Sequence, residues 1–430
     1  MLQVRAEEAE HEGVLEGRDA EELQRGATIH RFALQTSMIV DMLRLLKFPP
    51  GRKIFSRLCP RSTFYWLTPI MSRFAACIFG LIGMALANHA WAEPFVEHVE
   101  PPSVCRGLTN QITIVGQDVD RAMGFWTSLP ADKFKVVAVT AAEKERSEFK
   151  IEVAADCPLG IYGLRIATED GLSNLHLFVV DDLLPRTSLA DPQAEMPVAI
   201  AGELRPAAVD RHRIQVSARQ KVSFEVIASR LGNDADPLVT IYDSNGKRIA
   251  QRDNDPGLYF DCSWEQTFET AGIYTVEVRD SRFLGSPHWR YLLRMGNFPA
   301  AHVAIPSAVR PGETALLHFP ELAGMPIPFD VPATQKLGGL FHAVRRPGDG
   351  ASSWVPLLSS PLPSTVETEP NDTLEQATPT SQVPVILHGC FEQPGDKDYF
   401  QLVLKKGDRL SVRAETKAIN SPADVELSIV

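Results

Sequence analysis

The chain has 430 residues, 44% of them hydrophobic and 23% charged, enough for several domains of ordinary size and too apolar for disorder on a large scale. A formal net charge of -11 and a pI near 5.5 argue against the basic face that a nucleic-acid partner requires. After residue 93, Val, Ile, Thr and Phe recur in short alternating runs between Pro, Gly, Asn and Asp, which predicts an all-β chain.

The first informative stretch is Met71 to Ala92. A basic Ser-Arg73, an apolar run from Phe74 to Ala87 and an Ala90-Trp-Ala92 site before Glu93 have the form of a secretory signal peptide. Its apolar core falls short of the roughly twenty residues that span a bilayer. Signal peptides begin proteins, so this reading makes Met71 the start and residues 1–70 a mis-called extension. A competing reading keeps Met1 and makes residues 64–87 an uncleaved signal anchor, with the basic stretch Arg44–Arg61 held in the cytoplasm. The membrane then enters only through that segment. Both readings place the remaining chain outside the cytoplasm: secreted, periplasmic or on the cell surface.

Residues 93–182 read as a first β-sandwich. Strands are expected at Gln111–Val115, Phe134–Thr140, Phe149–Val153, Gly163–Ala167 and Leu175–Val180, and the segment resembles an immunoglobulin-like module. Cys105 and Cys157 share this domain in a compartment that permits disulfides, and a bridge between them is expected to contribute about 4 kcal/mol in the chain-entropy model. Cys262 and Cys390 are expected to be single thiols. The pair Phe125-Trp126 is either core or a binding surface.

A polar linker leads to a second sandwich at 198–296, with an Asn245-Gly246 hairpin and strands at Trp264–Phe268 and Ile273–Arg279. Its loop acids Asp234, Asp236, Asp253 and Asp255 are either solvated turn residues or a cation site. Residues 298–363 are Pro-rich, with strand-like pieces at Thr314–Phe319 and Leu340–Val344, and form a small β-module and linker.

The last module, 364–430, opens on Glu367-Thr-Glu369-Pro-Asn371-Asp372, followed by Pro394-Gly-Asp396-Lys-Asp398-Tyr-Phe400. Four oxygen-bearing side chains within six residues, kept extended by a proline, suit the hard cation Ca²⁺. The Asp396-x-Asp398 turn supplies further carboxylates for a shell of six to eight oxygens. Three alternating strands follow, on Phe400 to Leu404, Leu410 to Ala414 and Val425 to Ile429. Shifting the chain by 188 residues lays Asp398 on Asp210, Leu402 on Ile214, Val412 on Phe224, Leu427 on Val239 and Ile429 on Ile241 without a gap. That register predicts a duplicated β-domain whose second copy stops at Val430, short of the last strands of the first.

The order E-x-E-P-N-D-T, Gly389, P-G-D-x-D-Y-F and K-x-G-D-x-L resembles the bacterial pre-peptidase C-terminal domain, a group that includes the collagen-binding domains of clostridial collagenases. The resemblance implies a β-sandwich of jelly-roll type and assigns Ca²⁺ to Glu367, Glu369, Asn371 and Asp372, with Asp396 and Asp398 as further donors. The first copy lacks the acidic run and keeps only Asp210, so its site is expected to be absent or degenerate.

No G-x-S-x-G, H-E-x-x-H, P-loop or dinucleotide motif occurs. The preferred function is therefore a non-catalytic exported array of β-sandwiches that binds an extracellular polymer or protein partner, or acts as a calcium-stabilised spacer. The alternative, by association with the family, is the accessory front of a secreted hydrolase, a peptidase, whose catalytic domain follows residue 430.

Overall fold

The computed structural model describes residues 2–6, 93–187, 196–322, 324–333, 335–345 and 351–430. The signal peptide expected at 71–92, and residues 1–70 apart from a strand at β1 (Leu2–Ala6), lie outside them. Every regular element among the described residues is a strand or a short 3-10 turn. The chain is all-β.

The first module comprises β2 (Phe95–Glu100), β3 (Ser103–Cys105), β4 (Thr109–Gln117), β5 (Gly124–Thr127), β6 (Phe134–Glu143), β7 (Arg146–Val153), β8 (Gly160–Thr168), β9 (Gly171–Leu172) and β10 (His176–Asp181). Two sheets form, ordered β2-β4-β7-β6 and β3-β10-β8-β5 with β9 beside β8. Period-two alternation turns Phe149, Ile151 and Val153 of β7 inward, where they join Ile112, Ile114, Leu164, Ile166 and Phe178 in one core. Phe125 meets Phe149 edge-on at 4.8 Å, whereas Trp126, one residue on, is 46% exposed.

The expected Cys105–Cys157 bridge is not formed, and both residues are buried free thiols. Asn110 brackets the backbone of Cys105, accepting from its N–H at 2.8 Å and donating to its carbonyl at 2.9 Å. Cys157 instead packs within the module's apolar core. Cys262 and Cys390 are free as well.

The second module holds β11 (Pro185–Arg186), β12 (Val198–Glu203), β13 (Asp210–Val216), β14 (Gln220–Ile227), β15 (Pro237–Tyr242), β16 (Arg248–Arg252), β17 (Cys262–Phe268), β18 (Gly272–Asp280) and β19 (Arg290–Gly296). Its sheets run β11-β12-β19-β14-β17 and β13-β18-β15-β16. Gly246 takes φ +78° in the β15–β16 turn, the left-handed conformation that an Asn-Gly hairpin needs. Phe224 stacks on Trp264 at 4.9 Å in the core, and each such buried side chain contributes about 1.5–3 kcal/mol.

The third module is smaller: β20 (Ala308–Val309), β21 (Thr314–Leu317), β22 (Ile327–Asp330), β23 (Leu340–Arg345) and β24 (Ser353–Ser359) close on Leu317, Val331, Val355 and Leu357. Arg294 of β19 joins the three modules. Its guanidinium is fully buried and donates to Asp181 of the first module, Glu225 of its own and the Ser352 carbonyl of the third. It also lies over the rings of Phe298 and Trp354 at 4.8 and 4.3 Å.

The last module has β25 (Ser364–Val366), β26 (Thr378–Pro379), β27 (Ile386–His388), β28 (Lys397–Gln401) and β29 (Val425–Ile429), in sheets β25-β27 and β26-β28-β1-β29. The 188-residue register reappears in its backbone. The 3-10 turn Ser229–Leu231, closed by left-handed Gly232 at φ +85°, recurs as Lys417–Ile419, closed by left-handed Asn420 at φ +58°. The strand expected at Leu410 to Ala414 does not form. In the second module the matching β14 is held between β17 and β19. Among the described residues no strand pairs with this stretch, and Val412 is exposed.

Candidate cation site

The site forms where β25 runs out. β25 pairs parallel with β27, and the Glu367 N–H donates to the His388 carbonyl at 2.9 Å, continuing that ladder by one residue. Glu367 therefore arrives beside Gly389 and Cys390, and its Oε1 accepts the Cys390 N–H. Pro370 has no N–H to donate, so the chain cannot extend the ladder there and turns instead. The Glu369 side chain closes that turn, accepting from the Asn371 N–H at 2.9 Å. The Tyr399 N–H then donates to the Asn371 carbonyl at 3.1 Å, tying the turn to β28.

On β28 the alternation places Asp398 on the same inward face as Phe400, and both are nearly solvent-free. A buried carboxylate needs partners. Glu367, Glu369 and Asp398 each offer an oxygen, and the three lie within 4.8 Å of one another. Asn371 Nδ2 donates to Glu367 Oε2 at 3.2 Å, leaving its Oδ1 buried and without a hydrogen-bond partner. Asp398 Oδ1 is in the same condition.

Crowded carboxylates disfavour one another's charge. Burial, then the neighbouring Glu367, push Asp398 up to about 8. Burial also raises Glu367 and Glu369. Gly389 makes the crowding possible: a Cβ there would collide with Asp398 Oδ2 and press on Glu367 Oε2.

Of the six residues expected to bind the ion, the structure brings Glu367, Glu369, Asn371 and Asp398 together. Asp396 is occupied otherwise. It is buried, and its carboxylate accepts from the Glu392 N–H at 2.7 Å and the Lys397 N–H at 2.9 Å, which shapes the turn before β28. Asp372 is exposed, and its contact with Asp396 raises its carboxyl. Four oxygen donors of carboxylate and amide type, two of them orphaned, fit a hard divalent cation; the soft-metal ligands sulfur and imidazole are not among them.

In the second module the matching aspartate is satisfied internally. Asp210 accepts from the Tyr291 hydroxyl at 3.0 Å and pairs with Arg205 at 3.7 Å. Two of the four loop acids of that module are engaged as well: Asp236 accepts the Ser281 hydroxyl at 2.5 Å, and Asp255 accepts the Ser263 N–H at 2.6 Å.

No family model matches the chain, and no curated protein matches it. Among solved structures, the pre-peptidase C-terminal domain of a Bacillus anthracis collagenase aligns over 99% of its own length and 24% of this chain, at 12% identity and a TM-score of 0.19. The SGBP-B protein of a Bacteroides uniformis xyloglucan utilization locus aligns over 74% of its length and 48% of this chain, at 13% identity and TM-score 0.19. A surface glycan-binding protein of Prevotella bryantii gives 76%, 48%, 10% and 0.17. The likeness is local, and the fold stands on the strand pairing described above.

No helix among the described residues is long and apolar enough to cross a membrane.

Proposed function

We propose that this chain is a non-catalytic, exported array of β-sandwich modules that binds an extracellular polymer or protein, and that its last module is of the pre-peptidase C-terminal type and holds Ca²⁺. Glu367, Glu369, Asn371 and Asp398 form the inner ligands, with Asp372 and Asp396 beside them. The observation that carries this reading is the pair of buried, unpartnered oxygens, Asn371 Oδ1 and Asp398 Oδ1, next to two further carboxylates. Leaving a buried acceptor unmade costs about 1–3 kcal/mol, and a divalent cation removes that cost for both at once. The ion would clamp the linker after β25 to β28 and so stiffen the approach to the last module. Export rests on the signal-peptide pattern at 71–92, and the neighbours' printed roles as glycan-binding proteins are in keeping with a polymer partner.

The test is co-sedimentation of the full chain with a panel of insoluble polysaccharides and collagen fibrils, in calcium and in EGTA. Retention on one polymer that weakens in EGTA and in Glu367→Gln supports the proposal. Retention on none of them, with calcium binding intact, leaves the spacer role as the function.

A further inference from the structure

A cleft of about 590 Å³ lies on the seam between the first and second modules. One wall is the β2–β3 turn with the start of β4, and the other is made by residues of β12, β13 and β19. Sites for small ligands run from about 300 to 1,000 Å³ and favour boundaries between domains. Arg290 of β19 ties the two walls together. Its Nη1 donates to Glu203 at 3.0 Å, and its Nη2 lies 3.6 Å from Glu100 of the first module.

The charges in the cleft balance. Glu100, Glu203 and Asp210 stand against Arg205, Arg211 and Arg290, three of each sign, so a polyanion or a polycation meets as much repulsion as attraction there. Hydrogen-bonding capacity is nevertheless high. A carboxylate offers about four lone-pair sites and a guanidinium five N–H donors, so the pairs Arg290–Glu203 and Arg205–Asp210 keep groups for a ligand. Two polar atoms on lining residues, Arg290 Nε and His212 Nδ1, are buried without a partner. The first is a donor. The second is an acceptor: the Tyr291 hydroxyl donates to Asp210 and therefore accepts from His212 Nε2 at 2.8 Å, which leaves Nδ1 of the neutral imidazole bare. Burial lowers His212 and so keeps it neutral at pH 7. Pro101, Pro102, Leu184 and Pro185 add apolar surface beside these groups.

We propose that this cleft is the site at which the polymer-binding reading given above, on which the proposal rests, is realised, and that its ligand is a short stretch of a neutral polysaccharide. Sugar hydroxyls both donate and accept, so they can use carboxylate, guanidinium and imidazole alike without bringing a charge. The C–H faces of the sugar rings would lie on the proline surface. Both walls contribute, so the site exists only while the first two modules stay docked.

The test is affinity electrophoresis of the full chain, in calcium, through gels containing dextran, galactomannan or mixed-linkage β-glucan as neutral polymers and alginate as an acidic one, beside co-sedimentation with collagen fibrils. The wild type is expected to be slowed by at least one neutral polymer and not by alginate. Glu203→Ala and Arg205→Ala, both at positions partly open to solvent, are expected to weaken that binding about tenfold or more, with melting temperatures close to wild type. Trp126→Ala, at the exposed aromatic of the first module, should bind as the wild type does. Glycan binding that survives both cleft variants overturns the cleft and leaves the polymer reading standing. Binding to alginate or collagen alone overturns it in the same way. Retention by none of the polymers removes the cleft and the polymer reading together.

Discussion

Arg294 and Asp181 meet across 113 positions of sequence through two hydrogen bonds, Nε to Oδ2 at 2.8 Å and Nη2 to Oδ1 at 3.2 Å, with neither side chain reached by solvent. Glu225 accepts from the remaining Nη1 at 2.6 Å, so one cation sits against two carboxylates contributed by two modules. Removing one partner of a buried pair strands the others' charge. Arg294→Met is therefore expected to cost about 3–5 kcal/mol in denaturant unfolding of the full chain. A loss below about 1 kcal/mol would show that the junction does not hold the modules together.

Acid should weaken the protein through its buried and half-buried histidines. Burial lowers His98 to about 3 and His176, His342 and His388 to about 4. For His98, burial is reinforced by Arg290, which donates to Nε2 at 2.9 Å. Each folded value lies below the usual 6.5, so unfolding takes up protons between the two, and stability present above pH 6.5 is lost as pH falls toward 4. The slope is at most about 1.4 kcal/mol per pH unit for each histidine. Asp398, raised to about 8, acts oppositely, since its protonated native form loses stability as pH rises from about 4 to 8. Melting temperatures between pH 7 and 4, taken with calcium present to hold Asp398 ionised, should fall; a flat profile contradicts the assignment.

Gly389→Ala should damage the cation site and leave the rest of the fold alone. The added methyl meets Asp398 Oδ2 and Glu367 Oε2, two of the oxygens proposed above to hold calcium. Calcium affinity is expected to drop about tenfold or more, equivalent to about 1.4 kcal/mol, with the far-ultraviolet spectrum unchanged. Undiminished affinity would mean that these oxygens do not face a shared ion.

Cys105 and Cys157 should react as thiols only after unfolding. Burial pushes them to about 11 and about 12, and the thiolate is the reactive form. Unreduced, denatured protein treated with iodoacetamide should carry a label on both. A mass showing neither labelled would reinstate the bridge.

The fold class was legible because alternation is a local signal, plain in the Phe149, Ile151 and Val153 series. The 188-residue register was legible in the sequence and recurs in the backbone of the 3-10 turns, and the Glu367 to Asn371 run marked three of the four residues that meet at the candidate site. Three things were not. The Leu410 to Ala414 pattern alternates as a strand should, but pattern cannot supply a neighbour to pair with. The junction role of Arg294 has no motif, and its place in the apolar run Tyr291-Leu-Leu-Arg-Met295 is the one sign of burial the sequence offers. The role of Asp396 depended on which backbone N–H groups its turn presents, and spacing does not encode that.

The most direct test of the cation site is calorimetric titration of the full chain with CaCl2, beside Asp398→Asn and Glu367→Gln. The structure predicts one equivalent bound by the wild type, with protons released on binding at pH 7, and little or no binding by either variant. Equal heats from all three proteins would show that Glu367 and Asp398 are not calcium ligands.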